Sequence, residues 1–425
     1  MPFARHLFPL FCLSLLLLLP LNANAQTDRL PRIFDAQSVR RALDYLKTSE
    51  PDTINEQIKV CEIPAPTFHE SKRGEYFKQR FSELGLKNVR IDSIGNVIGE
   101  RPGKGTGAML VLAAHLDTVF PPETDVRVKR SGTVLAGPGI GDDCRGLAVM
   151  LALVRALNDA KIETDGAIVF VANVGEEGLG DLRGVRHLFN GEFKSKATHF
   201  ISIDGTGLGI TNRAVGVVRY RVTYRGPGGH SYGSFGLPSP IHALGRAIAK
   251  ISRFEVPKQP KTTFNVGKIE GGTSVNSVAH TAWMEVDLRS ESKDELAKLD
   301  AALKQVVQAA LEEENETWAK FGRSQAKLTV ELKQVSERPA GYTAPETPIV
   351  QIALAADKHL QIQSRLSGGS TDANIPISLG VPAITIDGGG TGRGAHSLDE
   401  SFDTTNSHLG TQRALLIVLG IVGVR

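Results

Sequence analysis

Cysteine is scarce in this sequence, with three residues in a chain of 425. That number excludes the small secreted scaffolds in which disulfides replace a hydrophobic core. An excess of one charge is also lacking. The formal net charge is +3 and no basic run stands out, so the sequence offers no electrostatic basis for nucleic-acid binding. What remains is ordinary globular composition, and at about 100–200 residues per domain this length predicts two domains.

Long hydrophobic runs are absent beyond the first 25 residues. Leu7–Leu21 is apolar, but it contains two prolines and is shorter than the roughly 20 residues that a bilayer span needs. Ala23–Ala25 then has the small-x-small pattern of a cleavage site, with Gln26 as the first mature residue. We therefore predict that 1–25 is a cleaved signal peptide. The protein is expected to be secreted or periplasmic, with no stable membrane span after cleavage.

Cys61 and Cys144 are the cysteines of the mature chain. They could pair in an oxidising compartment, but nothing in the sequence shows that their Cα atoms approach to disulfide distance. Two free, buried thiols are the favoured interpretation.

The first half of the mature chain alternates between strand-like and helix-like segments. Met109–Ala114, Ala167–Ala172 and Phe200–Ile203 are short continuous apolar runs, typical of strands buried on both faces. Between the first two runs, apolar residues repeat at the spacing of one helical face: Leu147, Met150, Leu151, Val154 and Leu157. Strands that alternate with helices predict an α/β domain with a mostly parallel sheet.

A different pattern occupies the middle of the chain. Val218–Arg225 and Met284–Arg289 alternate apolar and polar residues, which is typical of antiparallel strands with one wet face. One helix is predicted to open at Ser239–Pro240, a cap followed by an N1 proline. A second is predicted to open with the capping box formed by Ser292 and Glu295. These elements predict a separate α+β domain.

The α/β pattern then returns, with Val381–Ile386 as a further apolar strand. One α/β domain, formed by 26–213 and 337–425, is therefore interrupted by an inserted domain at 214–336.

Acidic residues and histidines follow the predicted strands, at the edge where ligands bind in open α/β sheets. They are His115 and Asp117, Asp142, Glu176 and Glu177, Asp204, and His396. Imidazole and carboxylate without thiolate suit zinc, with cobalt or manganese as substitutes. Two histidines and three carboxylates suffice for two ions if one carboxylate bridges. Such a pair polarises a carbonyl and activates a water.

Each of these residues also has an ordinary structural interpretation. Asp142 and Asp143 could cap the following helix, and Asp204 before a glycine could serve a turn. A lone histidine two residues before an aspartate is more often a surface hydrogen-bonded pair. The coincidence of all the strand ends favours a metal site over these separate explanations.

Three motifs, Ala114–Val119, Gly137–Asp143 and Gly175–Gly178, resemble the dizinc family of glutamate carboxypeptidase, acetylornithine deacetylase, succinyl-diaminopimelate desuccinylase and peptidase T. The resemblance extends over essentially the whole mature chain. It implies a zinc-peptidase-like catalytic domain and a ferredoxin-like inserted domain that acts as lid and dimerisation module.

The resemblance also implies a role for each residue. One zinc ion would be held by His115 and Asp204, and the other by Glu177 and His396. Asp142 would bridge the two ions. Asp117 would orient the ring of His115. Glu176 would be the general base that takes a proton from the activated water and passes it to the leaving amine.

In the inserted domain, His230 matches a histidine that reaches the partner subunit's active site and stabilises the oxyanion. The substrate-contacting positions would be Asn276, Arg289, and Gly369 and Ser370 of a glycine-rich loop. An arginine in such a position suits a substrate carboxylate. A homodimer through the inserted domain is expected.

The sequence offers support for four functions, to different degrees. An exported peptidase acting on di- or tripeptides is favoured, because biosynthetic deacylation takes place in the cytosol. An N-acyl amino acid deacylase of the same family is the alternative. A serine hydrolase using Ser231 is remote, because Gly229–Gly233 satisfies the G-x-S-x-G motif without a buried strand leading directly into a helix. A non-catalytic binding protein is disfavoured, because every expected ligand and Glu176 are present.

Overall fold

A computed structural model describes residues 29–321, 325–363 and 365–425. The predicted signal peptide, 1–25, lies outside the described residues. Among the described residues, no helix has both the length and the apolar character needed to cross a membrane.

The described chain contains helices and strands of both predicted domains. The helices are α1 Leu30–Phe34, α2 Gln37–Thr48, α3 Glu50–Cys61, α4 Ser71–Glu83, α5 Cys144–Asp159, α6 Arg183–Asn190, α7 Pro240–Ile251, α8 Lys293–Ala319, α9 Pro348–His359, α10 Asn374–Ser378 and α11 His408–Val422. The first strands are β1 Lys87–Ile91, β2 Val97–Arg101, β3 Met109–His115, β4 Lys129–Ser131, β5 Val134–Ala136, β6 Ala167–Asn173, β7 His199–Ile203, β8 Ile210–Ala214, β9 Gly216–Arg225 and β10 Gly229–His230. The remaining strands are β11 Thr262–Gly271, β12 Ser277–Val278, β13 Thr281–Ser290, β14 Thr329–Arg338, β15 Gly341–Tyr342, β16 Leu366–Gly369, β17 Ala383–Ile386, β18 Thr391–Arg393 and β19 Ser401–Asp403.

The larger domain is built on a nine-stranded sheet in the order β1-β2-β6-β3-β7-β17-β8-β15, with β16 also paired to β8. The four central strands, β6, β3, β7 and β17, are mutually parallel. Their residues are almost all buried, because helices cover both faces of a parallel sheet. The predicted α/β domain with a mostly parallel sheet is confirmed.

The inserted lid is a four-stranded antiparallel sheet in the order β11-β13-β9-β14. Helices α7 and α8 pack against one face of this sheet, and burial alternates along β13. The chain order of strand, helix, two strands, helix and strand is that of the ferredoxin-like fold, as expected. The other face of the lid sheet carries charged side chains such as Arg221 and Glu285, whose side chains form an ion pair.

The two predicted helix starts in the lid differ in their capping. Ser292 accepts a hydrogen bond from the N–H of Glu295 at 3.4 Å, as the capping box predicts. The side chain of Ser239 makes no capping bond, so that part of the expectation is wrong. Instead its backbone N–H donates to the buried carboxylate of Glu314 at 3.0 Å, and Pro240 begins the helix.

Lid and larger domain join where β8 ends at Ala214 and β9 begins at Gly216. Where the chain leads back to the larger domain, Ser336 of β14 donates from its Oγ to Asp181 Oδ1 of the larger domain at 2.6 Å. The boundaries at 214 and 336 stay a prediction.

Candidate metal centre and active site

Parallel strands bring the predicted residues to one edge of the sheet. β3 ends at His115, and its neighbour β6 ends three residues before Glu176. β7, on the other side of β3, ends immediately before Asp204. Because all three strands run in the same direction, the loops after them meet at the carboxyl edge.

Asp142 lies at the middle of the cluster. Its Oδ1 is 3.0 Å from His115 Nε2, and its Oδ2 is 3.0 Å from His396 Nε2. His396 Nε2 is also 3.0 Å from Glu177 Oε1, and His115 Nε2 is 4.0 Å from Asp204 Oδ1. The five predicted ligands are therefore brought together, with the two oxygens of Asp142 facing the two histidines.

Two ligand groups share Asp142, and the donor atoms within each group lie within 4.8 Å of one another: His115, Asp142 and Asp204, and Asp142, Glu177 and His396. His115 forms a third such group with Glu176 and Glu177. Nitrogen and oxygen donors at these separations fit divalent transition metals, and a shared carboxylate fits two ions side by side. The site can therefore hold metal. The identity of the metal and the role of each ligand stay predictions.

The charges of the cluster shift several pKa values. Hydrogen bonds that the imidazole donates to the carboxylates of Asp142 and Glu177 raise the pKa of His396 to about 10. Burial, together with the negative charge of Asp142, raises the pKa of Asp204 to about 7. Burial by itself would lower the pKa of His115, but its hydrogen bonds with Asp117 and Asp142 outweigh burial and raise that pKa. Metal binding must displace protons from such a site.

Asp117 connects the two sides of the cluster. Its carbonyl oxygen is 3.0 Å from His115 Nδ1, while its carboxylate Oδ1 is 3.6 Å away. The carboxylate accepts from the backbone N–H groups of Glu176 and Glu177, each at 3.0 Å, and from Thr67 Oγ1 at 2.9 Å. Asp117 thus holds the ring through its backbone and the Glu176–Glu177 turn through its side chain.

Asp143 and Glu400 fix the loop that carries Asp142. Asp143 Oδ1 caps α5 by accepting from Gly146 N–H at 3.0 Å, so the capping and ligand roles fall on adjacent residues. The buried Glu400 carboxylate accepts from three backbone N–H groups: Gly139 at 2.9 Å, Gly141 at 2.8 Å and Asp142 at 3.1 Å. Sequence reasoning missed Glu400, because no motif marks a carboxylate that binds a loop 258 residues away.

Arg338 was also missed. It ends β14, and its Nη1 donates to Glu176 Oε1 at 2.9 Å while Nη2 donates to the Glu176 carbonyl. Nη1 also lies 3.4 Å from Ser370 Oγ, so the glycine-rich loop adjoins Glu176. Burial raises the pKa of the Glu176 carboxyl, and the charge of Arg338 opposes that shift. The sequence shows only a single arginine at the end of this strand. Such an arginine normally lies on the solvent-exposed face of the sheet, so it does not indicate a functional role.

The predicted lid residues divide between two ends of the sheet. Arg289 and Arg338 pair with the same residue, Val217, from its two sides, so their Cα atoms lie about 10 Å apart and their side chains lie on one face of the sheet. His230 and Asn276 lie at the other end, where β10 pairs with β12. The two ends of the lid sheet, marked by Val217 and Arg225 on β9, are about 26 Å apart along the strand. Within one chain, Arg289 therefore lies at the same end of the lid sheet as Arg338, which contacts Glu176, whereas His230 lies at the opposite end.

Two sequence alternatives are settled by local structure. Ser231 follows the two-residue strand β10 and is succeeded by turns, not by a helix, so the nucleophile elbow is absent from this segment. Cys61 and Cys144 are both free and buried, as favoured, and Cys61 Sγ contacts the carbonyl of Pro138 at 3.4 Å.

The fold and the site define a hydrolase of the dinuclear-metal type, with an α/β catalytic domain and a ferredoxin-like lid. The profile of peptidase family M20/M25/M40 matches residues 111–419. The chain therefore belongs to that family, and it is a metal-dependent peptidase or amidohydrolase. The family inferred from the three motifs is confirmed.

Individual relatives are distant in sequence but extend over most of the chain. An uncharacterised protein of Bacillus subtilis (strain 168) is 27% identical over 356 residues, covering 80% of this chain and 90% of the relative. The succinyl-diaminopimelate desuccinylase of Corynebacterium glutamicum is 24% identical over 350 residues, covering 80% and 89%.

Solved structures share the fold. A tripeptidase from Staphylococcus aureus superposes with a TM-score of 0.73 at 24% identity, covering 87% of this chain and 97% of that one. A dinuclear metal-binding peptidase of Bacillus subtilis gives a TM-score of 0.65 at 17% identity, covering 89% and 100%.

Proposed function

We propose that this protein is an exported two-zinc metallopeptidase that hydrolyses di- and tripeptides. The observation that carries the proposal is the pair of ligand groups that share Asp142, with the buried carboxylate of Glu176 beside them. Zinc suits a set of imidazoles and carboxylates, and cobalt or manganese could replace it. Export rests on the signal-peptide pattern of residues 1–25.

His115 and Asp204 would hold one ion, Glu177 and His396 the other, and Asp142 both. When bound, such a pair polarises the amide carbonyl and lowers the pKa of a water. The protein supplies the proton transfers. Glu176 would take a proton from the attacking water and deliver it to the leaving nitrogen.

Arg338 supports this role of Glu176. It binds Oε1 and the backbone carbonyl of Glu176, so the carboxylate is held in one orientation and Oε2 is left to accept the proton. Asp117 fixes the same turn from the opposite side through two backbone N–H groups. A base that is already oriented loses little entropy on reaching the transition state.

The lid would bind the substrate's carboxylate. Arg289 lies on the face of the lid sheet that Arg338 shares, and its guanidinium suits a carboxylate held by two parallel hydrogen bonds. Gly369 and Ser370 adjoin Arg338 and would contact the peptide backbone.

A homodimer would complete the site, because His230 and Asn276 lie at the distal end of the lid of their own chain. Apolar side chains are exposed around that end: Tyr232 at 90%, Val275 at 102% and Ile269 at 63%. Exposed apolar surface of this kind favours association with a second copy. His230 of one protomer would then stabilise the oxyanion in its partner.

Deacylation of N-acyl amino acids is the second candidate. It is supported by the similarity to a succinyl-diaminopimelate desuccinylase, whereas the structural similarity to a tripeptidase agrees with the first candidate. Both reactions break an amide bond beside a carboxylate.

The test is a panel of dipeptides, tripeptides and N-acyl amino acids, assayed with and without a chelator and after re-addition of zinc, cobalt or manganese. Chelator-sensitive cleavage of peptides, with little cleavage of N-acyl amino acids, is expected. The reverse preference would replace the peptidase by the deacylase. Activity that survives the chelator would contradict metal catalysis altogether.

A further inference from the structure

Phe68 occupies a backbone position that suits glycine. The N–H of His69 donates to the carbonyl of Pro66 at 2.7 Å, closing a four-residue turn in which Phe68 is third. Its φ is 75°, in the left-handed region that bulky side chains avoid and that glycine or asparagine normally fills. The side chain nevertheless projects outward, and the residue is 57% exposed. Strained positions of this kind cluster at ligand-binding sites.

The ring of Phe68 is connected through Arg183 to the turn that carries the proposed base. The Arg183 guanidinium sits over the ring, 5.0 Å from its centroid. Arg183 is held by the buried carboxylate of Glu70 at 2.8 and 2.9 Å. It also fills the space beside Gly175, where a Cβ would come within 2.0 Å of Arg183 Nη1. Gly175 immediately precedes Glu176, so Phe68 is fixed beside the catalytic turn.

A second link joins Phe68 to the metal cluster. Its neighbour Thr67 donates to Asp117 Oδ2 at 2.9 Å. Leu179, two residues after the proposed ligand Glu177, is 66% exposed. Two exposed apolar side chains thus flank the same carboxylate turn, one on each of the loops that Asp117 connects. Single exposed apolar residues are common, but two on loops that adjoin the same polar cluster favour a binding surface.

We propose that Phe68 and Leu179 form an apolar wall that receives the side chain on the acyl side of the scissile amide. Arg289 lies on the lid, where it would bind the carboxylate on the leaving side. The loops of the catalytic domain would therefore contact the residue on the acyl side of the cleaved bond. The preferred substrates are peptides whose residue before the cleaved bond is leucine, phenylalanine or another large apolar residue. This inference rests on the proposed function and specifies its substrate class.

The experiment compares kcat/KM of the full-length, metal-loaded enzyme on Phe-Gly, Leu-Gly, Ala-Gly, Gly-Phe and Gly-Leu. The wild type is expected to prefer the first two. Phe68→Gly suits the left-handed turn, so the melting temperature should stay level or rise. Its kcat/KM for Phe-Gly and Leu-Gly should fall about tenfold or more, with Ala-Gly little changed. Phe68→Leu should retain most of the preference.

Lys161→Gly is the matched control, since Lys161 has a φ of 52° at the exposed end of α5. It relieves the same kind of backbone strain and should leave the substrate preference unchanged. A wild type with no apolar preference, or a Phe68→Gly loss that is equal on all dipeptides, would overturn the inference while leaving the peptidase intact. Failure of the proposed function looks different, because none of the dipeptides would then be cleaved in a chelator-sensitive manner.

Discussion

The guanidinium of Arg338 binds Glu176 twice, at Oε1 across 2.9 Å and at the backbone carbonyl, although the two residues are 162 positions apart. One residue ends a lid strand and the other follows a central strand of the catalytic sheet. The contact therefore ties the position of the lid to the orientation of the proposed base.

Arg338→Lys should lower kcat about 10- to 100-fold, because one ammonium cannot hold the carboxylate and the carbonyl in the same geometry. Metal content should stay unchanged, and kcat should fall more than KM rises. Arg221→Lys is the control, since Arg221 pairs with Glu285 on the exposed face of the lid. Equal losses in both variants would show that the effect belongs to the lid's stability.

Glu176→Gln should retain both metal ions and lower kcat by about 10²–10⁴, because the amide cannot accept the water's proton. Metal analysis and steady-state kinetics on the same preparation check both parts. A rate near that of the wild type would remove Glu176 from the role of base.

His396→Ala should lose one of the two metal ions, since it leaves Asp142 and Glu177 as the remaining members of that group. Metal analysis after dialysis checks the stoichiometry. His187→Ala, at a partly exposed histidine outside the cluster, should keep the full metal content. Two ions per chain in His396→Ala would contradict the assignment.

Glu400→Gln should destabilise the loop that carries Asp142. The carboxylate accepts hydrogen bonds from three backbone N–H groups. In the glutamine variant, the amide NH2 would face one of these N–H groups, so two donors would meet and that hydrogen bond would be lost. We expect a loss of about 1–3 kcal/mol in the free energy of unfolding, measured by urea denaturation of the metal-free protein. Weaker metal binding should accompany it. Unchanged stability and metal affinity would show that the loop holds its shape without Glu400.

Mixing His230→Ala and Glu176→Gln protomers should restore activity if His230 acts in its partner's site. A mixed dimer then has one complete site, so recovery to about one quarter of the wild-type rate is expected after random exchange. Subunit exchange is verified with differently tagged protomers. Subunit exchange without recovery of activity would contradict the role of His230 in the partner's site.

The sequence by itself determined the alternation of strands and helices, because buried parallel strands and one-faced helices leave clear apolar patterns. It also determined which residues follow those strands, and so placed His115, Asp204 and the Glu176–Glu177 turn at one edge. The antiparallel lid was predictable for the same reason, from the alternation along β9 and β13.

Tertiary structure alone decided the contacts made by residues far apart in the chain. Glu400 and Arg338 have no local pattern, since their partners are backbone groups and a carboxylate brought near only by folding. The outward orientation of the Phe68 side chain could not be predicted either, because it follows from the backbone angle φ of that residue and not from its amino-acid type. Local periodicity records which face of an element is buried, whereas the packing of distant loops decides what a polar side chain meets.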